Sequence, residues 1–138
     1  MRIQLELPET FSFQTEIPVR ITDINYGNHL GNDAILSMMH EARVQFLQSL
    51  GYTELEMEGA GLIMSDTAII YKGEGFYGDI LTVHVTAVDL SKYGFDLMYQ
   101  FTNQHGKEIA HAKTGMLCFN YATRKLMALP EKAAAKLR

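Results

Sequence analysis

Apolar residues from Phe11 to Ile21 fall on alternate positions: Phe11, Phe13, Ile17, Val19 and Ile21. That two-residue period predicts a strand with one covered face. Pro18 has no N–H to donate, which places the strand at a sheet edge or a bulge. Residues 22 to 33, TDINYGNHLGND, are rich in the turn formers Asn, Asp and Gly and predict an ordered loop. The period then changes. Between residues 33 and 50 a stripe of Ile35, Met39, Ala42, Phe46 and Leu50, widened by Met38 and Leu47, recurs at three and four residues and predicts a helix. Asn32 is the expected N-cap, Asp33 complements the positive end of the dipole, and Gly51 is placed to end the helix in a left-handed conformation.

A short second helix is expected at residues 53 to 58, and strands follow. Residues 62 to 71 are almost all apolar, and residues 80 to 88 and 95 to 102 alternate apolar with polar. Asn103 to Lys107, with Gly106, predicts a hairpin turn before a last strand at 108 to 121, and EKAAAKLR predicts a short charged helical tail or fray. One helix followed by a run of antiparallel strands is an α+β arrangement, here a five-stranded antiparallel sheet wrapped around one long central helix. Its exposed edges predict at least a dimer that continues the sheet across chains.

The length of 138 residues fits one domain spanning residues 1 to 138. With 47% hydrophobic and 20% charged residues, disorder is excluded. Twelve basic against sixteen acidic residues give a net charge of -4, which argues against a nucleic-acid-binding face. A single cysteine, Cys118, excludes an internal disulfide and fits a reducing cytoplasm. No apolar run approaches the roughly 18 residues of a membrane span, and the start of the chain does not read as a secretory signal. The five histidines have no metal-ligand spacing, so no metal is expected. There is no Gly-rich phosphate loop, nucleophile elbow or Cys/His pair.

Residues 22 to 51, TDINYGNHLGNDAILSMMHEARVQFLQSLG, follow a pattern of Asp-x-Asp-x-x-x-His-x-x-Asn and then a helix bearing Glu-Ala-Arg. Asp23, His29, Asn32, Glu41, Ala42 and Arg43 match it without a gap. Tyr71, Gly78-Asp79 and Leu129-Pro130 extend the likeness over nearly the whole chain. On these residues the sequence resembles hotdog-fold acyl-CoA thioesterases of the hydroxybenzoyl-CoA thioesterase type. The resemblance implies hydrolysis of a fatty or aromatic acyl-CoA at a subunit interface of a homodimer or homotetramer. CoA would then be part of the substrate and not a cofactor.

The chemistry such a site needs is an electrophile and a base. Unpaired N–H groups around Gly31 to Asp33, at the start of the helix, are placed to polarise a thioester carbonyl. The family's second Asp, its usual catalytic carboxylate, is Asn25 here, and an amide is not a base at neutral pH. Asp66, on a strand face with Leu62, Met64, Ala68 and Ile70, is one replacement, its pKa raised by desolvation if that face is covered. The alternative for Asp66 is an Asp bonded to backbone. Glu41 aligns with an acid common in the family, or is an exposed or Arg-paired helix residue. His29 either bonds the thioester or orients Asn25, or it fastens the loop through a backbone carbonyl. For the CoA phosphates, Ser91 and Lys92 lie at the turn where relatives often carry a basic residue, with Lys72 behind them. The readings that remain are an acyl-CoA thioesterase with a relocated base, a non-catalytic acyl-thioester binding protein, and a hotdog hydratase or dehydratase.

Overall fold

The structure, a computed structural model, describes residues 1–138. Strand β1, Phe13–Pro18, leads through a 3-10 turn at Ile21–Asp23 to the long helix α1, Asn32–Ser49. Strands β2 (Gly61–Tyr71), β3 (Ile80–Val88), β4 (Gly94–Thr102) and β5 (Glu108–Asn120) follow, then a two-residue β6 (Lys125–Leu126) and helix α2 (Glu131–Leu137). The strands make one antiparallel sheet in the order β1-β3-β4-β5-β2, with β6 beside β5. Pro18 therefore ends an edge strand, where its missing N–H costs no ladder bond.

The sheet has to cover α1, and α1 supplies a wide apolar face for it. Ile35, Met38, Met39, Ala42, Phe46 and Leu47 are all buried, against Leu81, Val83 and Val85 of β3 and Leu97, Tyr99 and Phe101 of β4. This is the five-stranded wrap predicted from the periodicities. Gly51, at φ 87, follows the helix in the left-handed conformation its position predicts.

Several local expectations are corrected. The N-cap is Gly31, not Asn32, and no side chain caps the helix; Asn32 is its first residue. Residues 53 to 58 form no helix but turns closed by a Met57–Ala60 bridge, because Gly59 at φ 91 and Glu58 at φ 52 turn the chain back. Of the two readings of the C-terminal tail the helical one holds, with Ala133 and Leu137 of α2 buried in the core. The extreme N-terminus crosses the outer face of the sheet, the face away from α1. Residues 4 to 6 lie over Met98 and Lys113 on one side and Ile70 and His111 on the other.

Strand β2 carries one irregularity that matters for the site. Met64 pairs with Met116, but Asp66 pairs with Gly115, so Ser65 is an extra residue, a β-bulge. Leu62 and Met64 face α1. Beyond the bulge, Thr67, Ile69 and Tyr71 keep that direction, while Asp66, Ala68 and Ile70 face the opposite side with Lys113 and His111. Simple alternation put Leu62, Met64, Asp66, Ala68 and Ile70 on one face, and the bulge is why it does not hold.

Candidate active site

The loop after β1 is built to hold the start of α1. Asp23, buried, accepts from the Arg20 backbone N–H at 2.8 Å, and its own carbonyl accepts from Gly31 N–H at 2.9 Å. Leu30 N–H donates to Gly75 in the connection after β2 at 2.7 Å, fixing the loop to the end of the sheet. Within the loop, Ile24 and Leu30 form a bridge, and Asn25 N–H donates to the His29 carbonyl at 3.0 Å.

This hairpin-like closure brings Asn25 and His29 together over Gly27. Asn25 Oδ1 accepts from Gly27 N–H at 2.8 Å, and the Asn25 amide NH₂ donates to no protein group. His29 Nδ1 donates to the Leu30 carbonyl at 3.2 Å, the loop-fastening contact expected of it. That bond leaves Nε2 as the ring's free nitrogen. A Cβ at Gly27 would sit 3.2 Å from both Asn25 Oδ1 and His29 Nε2, so both groups converge on the Gly27 Cα. Asn25 also lies against Gly31, with 3.6 Å from its Cβ to the position a Gly31 Cβ would take.

Beyond Gly31 stand the first two amides of α1. The Gly31 amide is taken by Asp23, but those of Asn32 and Asp33 donate to no protein group. Of the three donors expected from sequence, two are free, at the positive end of an 18-residue helix. Tyr71 of β2 reaches over to them, its hydroxyl donating to the Asn32 carbonyl at 3.3 Å.

The other expected residues are elsewhere. Asp66 is not a desolvated acid: it is 60% exposed on the outer face, held by Lys113 Nζ at 2.9 Å and Gly115 N–H at 3.0 Å. The Lys113 contact pulls its carboxyl below the usual aspartate range, the reverse of the shift expected of a general base. Glu41 is exposed on the β1 side of α1 and accepts from Gln45 at 2.8 Å, with no arginine partner. Nine residues beyond Asn32, it is about 13 Å along the helix from the free amides. Lys72 follows β2 at the loop's end of the sheet, its N–H bonded to the Ile109 carbonyl. Ser91 and Lys92 sit in the β3–β4 turn at the other end, where Ser91 Oγ donates to Gly94 and Lys92 lies over the Tyr93 ring. One chain alone does not bring them to the loop.

A polar network that the sequence reading passed over runs under the middle of α1. Arg43, 5% exposed, donates through Nε to Glu54 Oε2 at 3.1 Å and through Nη1 to the buried Tyr99 hydroxyl at 3.2 Å. That hydroxyl is 2.8 Å from Thr114 Oγ1, and His40 Nε2 is 2.8 Å from the other Glu54 oxygen. Burial pushes the Glu54 carboxyl up, but the bonds from His40 and Arg43 outweigh it and hold its pKa below the ordinary value. The sequence signal was an arginine directly after Ala42 inside the apolar stripe.

A long helix cradled in an antiparallel sheet is the hotdog arrangement, here with two free amides at the helix start and a polar loop against them. Residues 19–137 match the thioesterase-like superfamily, and the chain belongs to that family. A putative esterase of Aquifex aeolicus is 28% identical over 100 residues, 71% of this chain and 76% of the relative. The fold is similar to that of a 1,4-dihydroxy-2-naphthoyl-CoA thioesterase from Synechocystis, with a TM-score of 0.82, 22% identity and coverage of 91% and 94% of the two chains. A gentisyl-coenzyme A thioesterase aligns with a TM-score of 0.81 and 18% identity over 91% of this chain and all of the other. A Staphylococcus aureus protein in complex with CoA gives 0.82 and 21% over 96% and 85%.

Proposed function

We propose that the protein hydrolyses an acyl-CoA thioester to the free acid and CoA. The observation that carries this reading is the pair of unspent amides on Asn32 and Asp33 beside Asn25 and His29. Two N–H donors at a helix start stabilise the negative charge that develops on a thioester oxygen when water attacks. With Asn25 in the place of the family's aspartate and Asp66 facing away, the free Nε2 of His29 is the base that takes the proton of that water. The Asn25 amide NH₂ orients the water or the carbonyl.

The CoA phosphates need cations, and the second copy of the chain supplies them in this reading. Edge strand β2 is eleven residues long and unpaired on one side. Two copies joined antiparallel through β2 extend the sheet and remove the exposed edge. That pairing sets the Gly61 end of one β2 beside the Tyr71 end of the other. The Gly61 end adjoins the β3–β4 turn through Leu117 and Gly94. Ser91 and Lys92 of the second copy then stand on the side where α1 of the first begins, with Lys72 of the first.

Aliphatic and aromatic acyl-CoAs, followed with a thiol-reactive dye, test the reading. The expected result is CoA release above background for at least one of them, abolished in His29→Gln. Release from none, with retained CoA binding, would leave the second reading, a non-catalytic acyl-thioester binder, which Asn25 favours. Loss of enoyl absorbance without thiol release would instead mark a hydratase.

A further inference from the structure

Tyr71 closes β2 at the end of the sheet where α1 begins, and no step of the proposed hydrolysis uses it. Its backbone pairs with Ala110 of β5, and the next two amides, of Lys72 and Gly73, donate to the Ile109 carbonyl at 2.9 and 3.1 Å, so the base of the side chain is held. From there the side chain, 48% exposed, crosses to α1 and sets its hydroxyl 3.3 Å from the carbonyl oxygen of Asn32. That oxygen belongs to the same planar peptide group as the Asp33 N–H, one of the two free donors. The other free donor, the Asn32 N–H, belongs to the peptide that starts at Gly31, whose carbonyl accepts from Ala34 N–H at 3.1 Å. Tyr71 therefore bonds one of the two peptide groups and not the other.

We infer that Tyr71 is a positioning residue for the Asp33 amide: by donating to the far end of that peptide group it fixes the peptide plane and makes the N–H a stronger donor toward a thioester oxygen. The inference rests on that oxygen lying at Asn32 and Asp33, as the hydrolase reading has it. Hydrogen bonds in a chain polarise one another, so a donor on the carbonyl oxygen draws electron density through the peptide and away from its nitrogen. The effect is reciprocal. As negative charge grows on the thioester oxygen and pulls on the Asp33 N–H, the Asn32 carbonyl becomes a better acceptor, and a bond that is long for O–H···O in the free protein shortens. An interaction that strengthens as charge develops stabilises the transition state more than the bound substrate, so it raises kcat and leaves KM alone. Burial and the Asp33 carboxylate both push the Tyr71 phenol above its ordinary value, and at neutral pH the hydroxyl keeps the proton it donates.

Tyr71→Phe removes the hydroxyl and keeps the ring. In the free full chain, the amide nitrogen resonance of Asp33 should move to lower frequency in this variant while that of Asn32 stays, because only the Asp33 peptide loses a donor. On an acyl-CoA that the wild type hydrolyses, kcat should fall about threefold with KM unchanged. Tyr71→Leu, which gives up the ring as well, should fall by the same factor; a further loss would make packing of the ring the cause and overturn the proposal. An Asp33 resonance that does not move, or an unchanged kcat, also overturns it and leaves the hydrolase reading standing. If no acyl-CoA is turned over, the hydrolase reading falls and the decision passes to a bound ketone, S-phenacyl-CoA labelled with carbon-13 at its carbonyl. The infrared band of that carbonyl should lie at lower frequency in the wild type than in Tyr71→Phe. Equal bands, or no binding of the ketone, overturn the proposal.

Discussion

Asn25 decides more than any other side chain what this loop can do. Its carbonyl is committed to Gly27 N–H and its position beside Gly31 is fixed by the loop closure, so an aspartate there would keep the geometry and add a base. Asn25→Asp should raise the rate of acyl-CoA hydrolysis by about 10²-fold, as general-base catalysis commonly contributes. The measurement is initial rate at saturating substrate, and no gain would place the proton transfer elsewhere. Glu54 sets a second expectation at this scale. Its folded-state pKa lies below the ordinary value, so the stability it contributes is present above pH about 4.5 and is lost as pH falls through the folded value. Urea midpoints between pH 7 and pH 3 should fall more steeply in the wild type than in Glu54→Gln. Asp66 has the same sign, but with 60% exposure its pair with Lys113 adds little to stability. His29, Asn25 and Asn32 entered through the family's motif, and the structure brings Asn25 and His29 together over Gly27. Arg43 was visible only as a motif letter, because a charge inside an apolar stripe acquires meaning once Glu54, Tyr99 and Thr114, far away in sequence, close around it.

The elements were readable where a period ran unbroken. The α1 stripe and the alternation of β3 and β4 follow directly from side-chain burial on one face. The failures sit where backbone geometry, not side-chain pattern, governs. The first α1 cap is a glycine with no side chain to signal it, and positive-φ residues at 58 and 59 break a would-be helix. The bulge at Ser65 is the costliest of these for the site, since it moved Asp66 to the other face. It depends on Gly115. A Cβ there would lie 2.6 Å from Ser65 Oγ and closer still to Asp66 Oδ1. Gly115→Ala should therefore expel the Asp66 carboxylate from its bonds to Gly115 N–H and Lys113, at no more than about 1 kcal/mol of stability by urea unfolding.

For the whole molecule, the long unpaired β2 edge predicts a dimer. Sedimentation should give twice the 15.6 kDa chain mass or a multiple of that, and a monomer at working concentration would remove the shared site. The N-terminal residues behave differently from the rest. From Met1 to Phe11 no hydrogen bond ties the segment down; Leu5, Leu7 and Pro8 are half-buried, and Phe11 rests 5.6 Å from the His84 ring. Removing residues 1 to 10 should leave the fold intact, uncover Met98 and His111, and cost about 1–3 kcal/mol. Thermal unfolding of the truncated chain measures it.

The extra residue in β2 also changes how the gene tolerates length variation. Excising Ser65 would make Met64 and Asp66 adjacent rungs of a regular ladder, and each side chain on either side would keep its present orientation. What would be lost is the local bend, so the edge that meets a second copy would run straighter while the interior stayed as it is. A single-codon deletion there alters assembly geometry without touching the chemistry, whereas an insertion one residue away turns half the strand inside out.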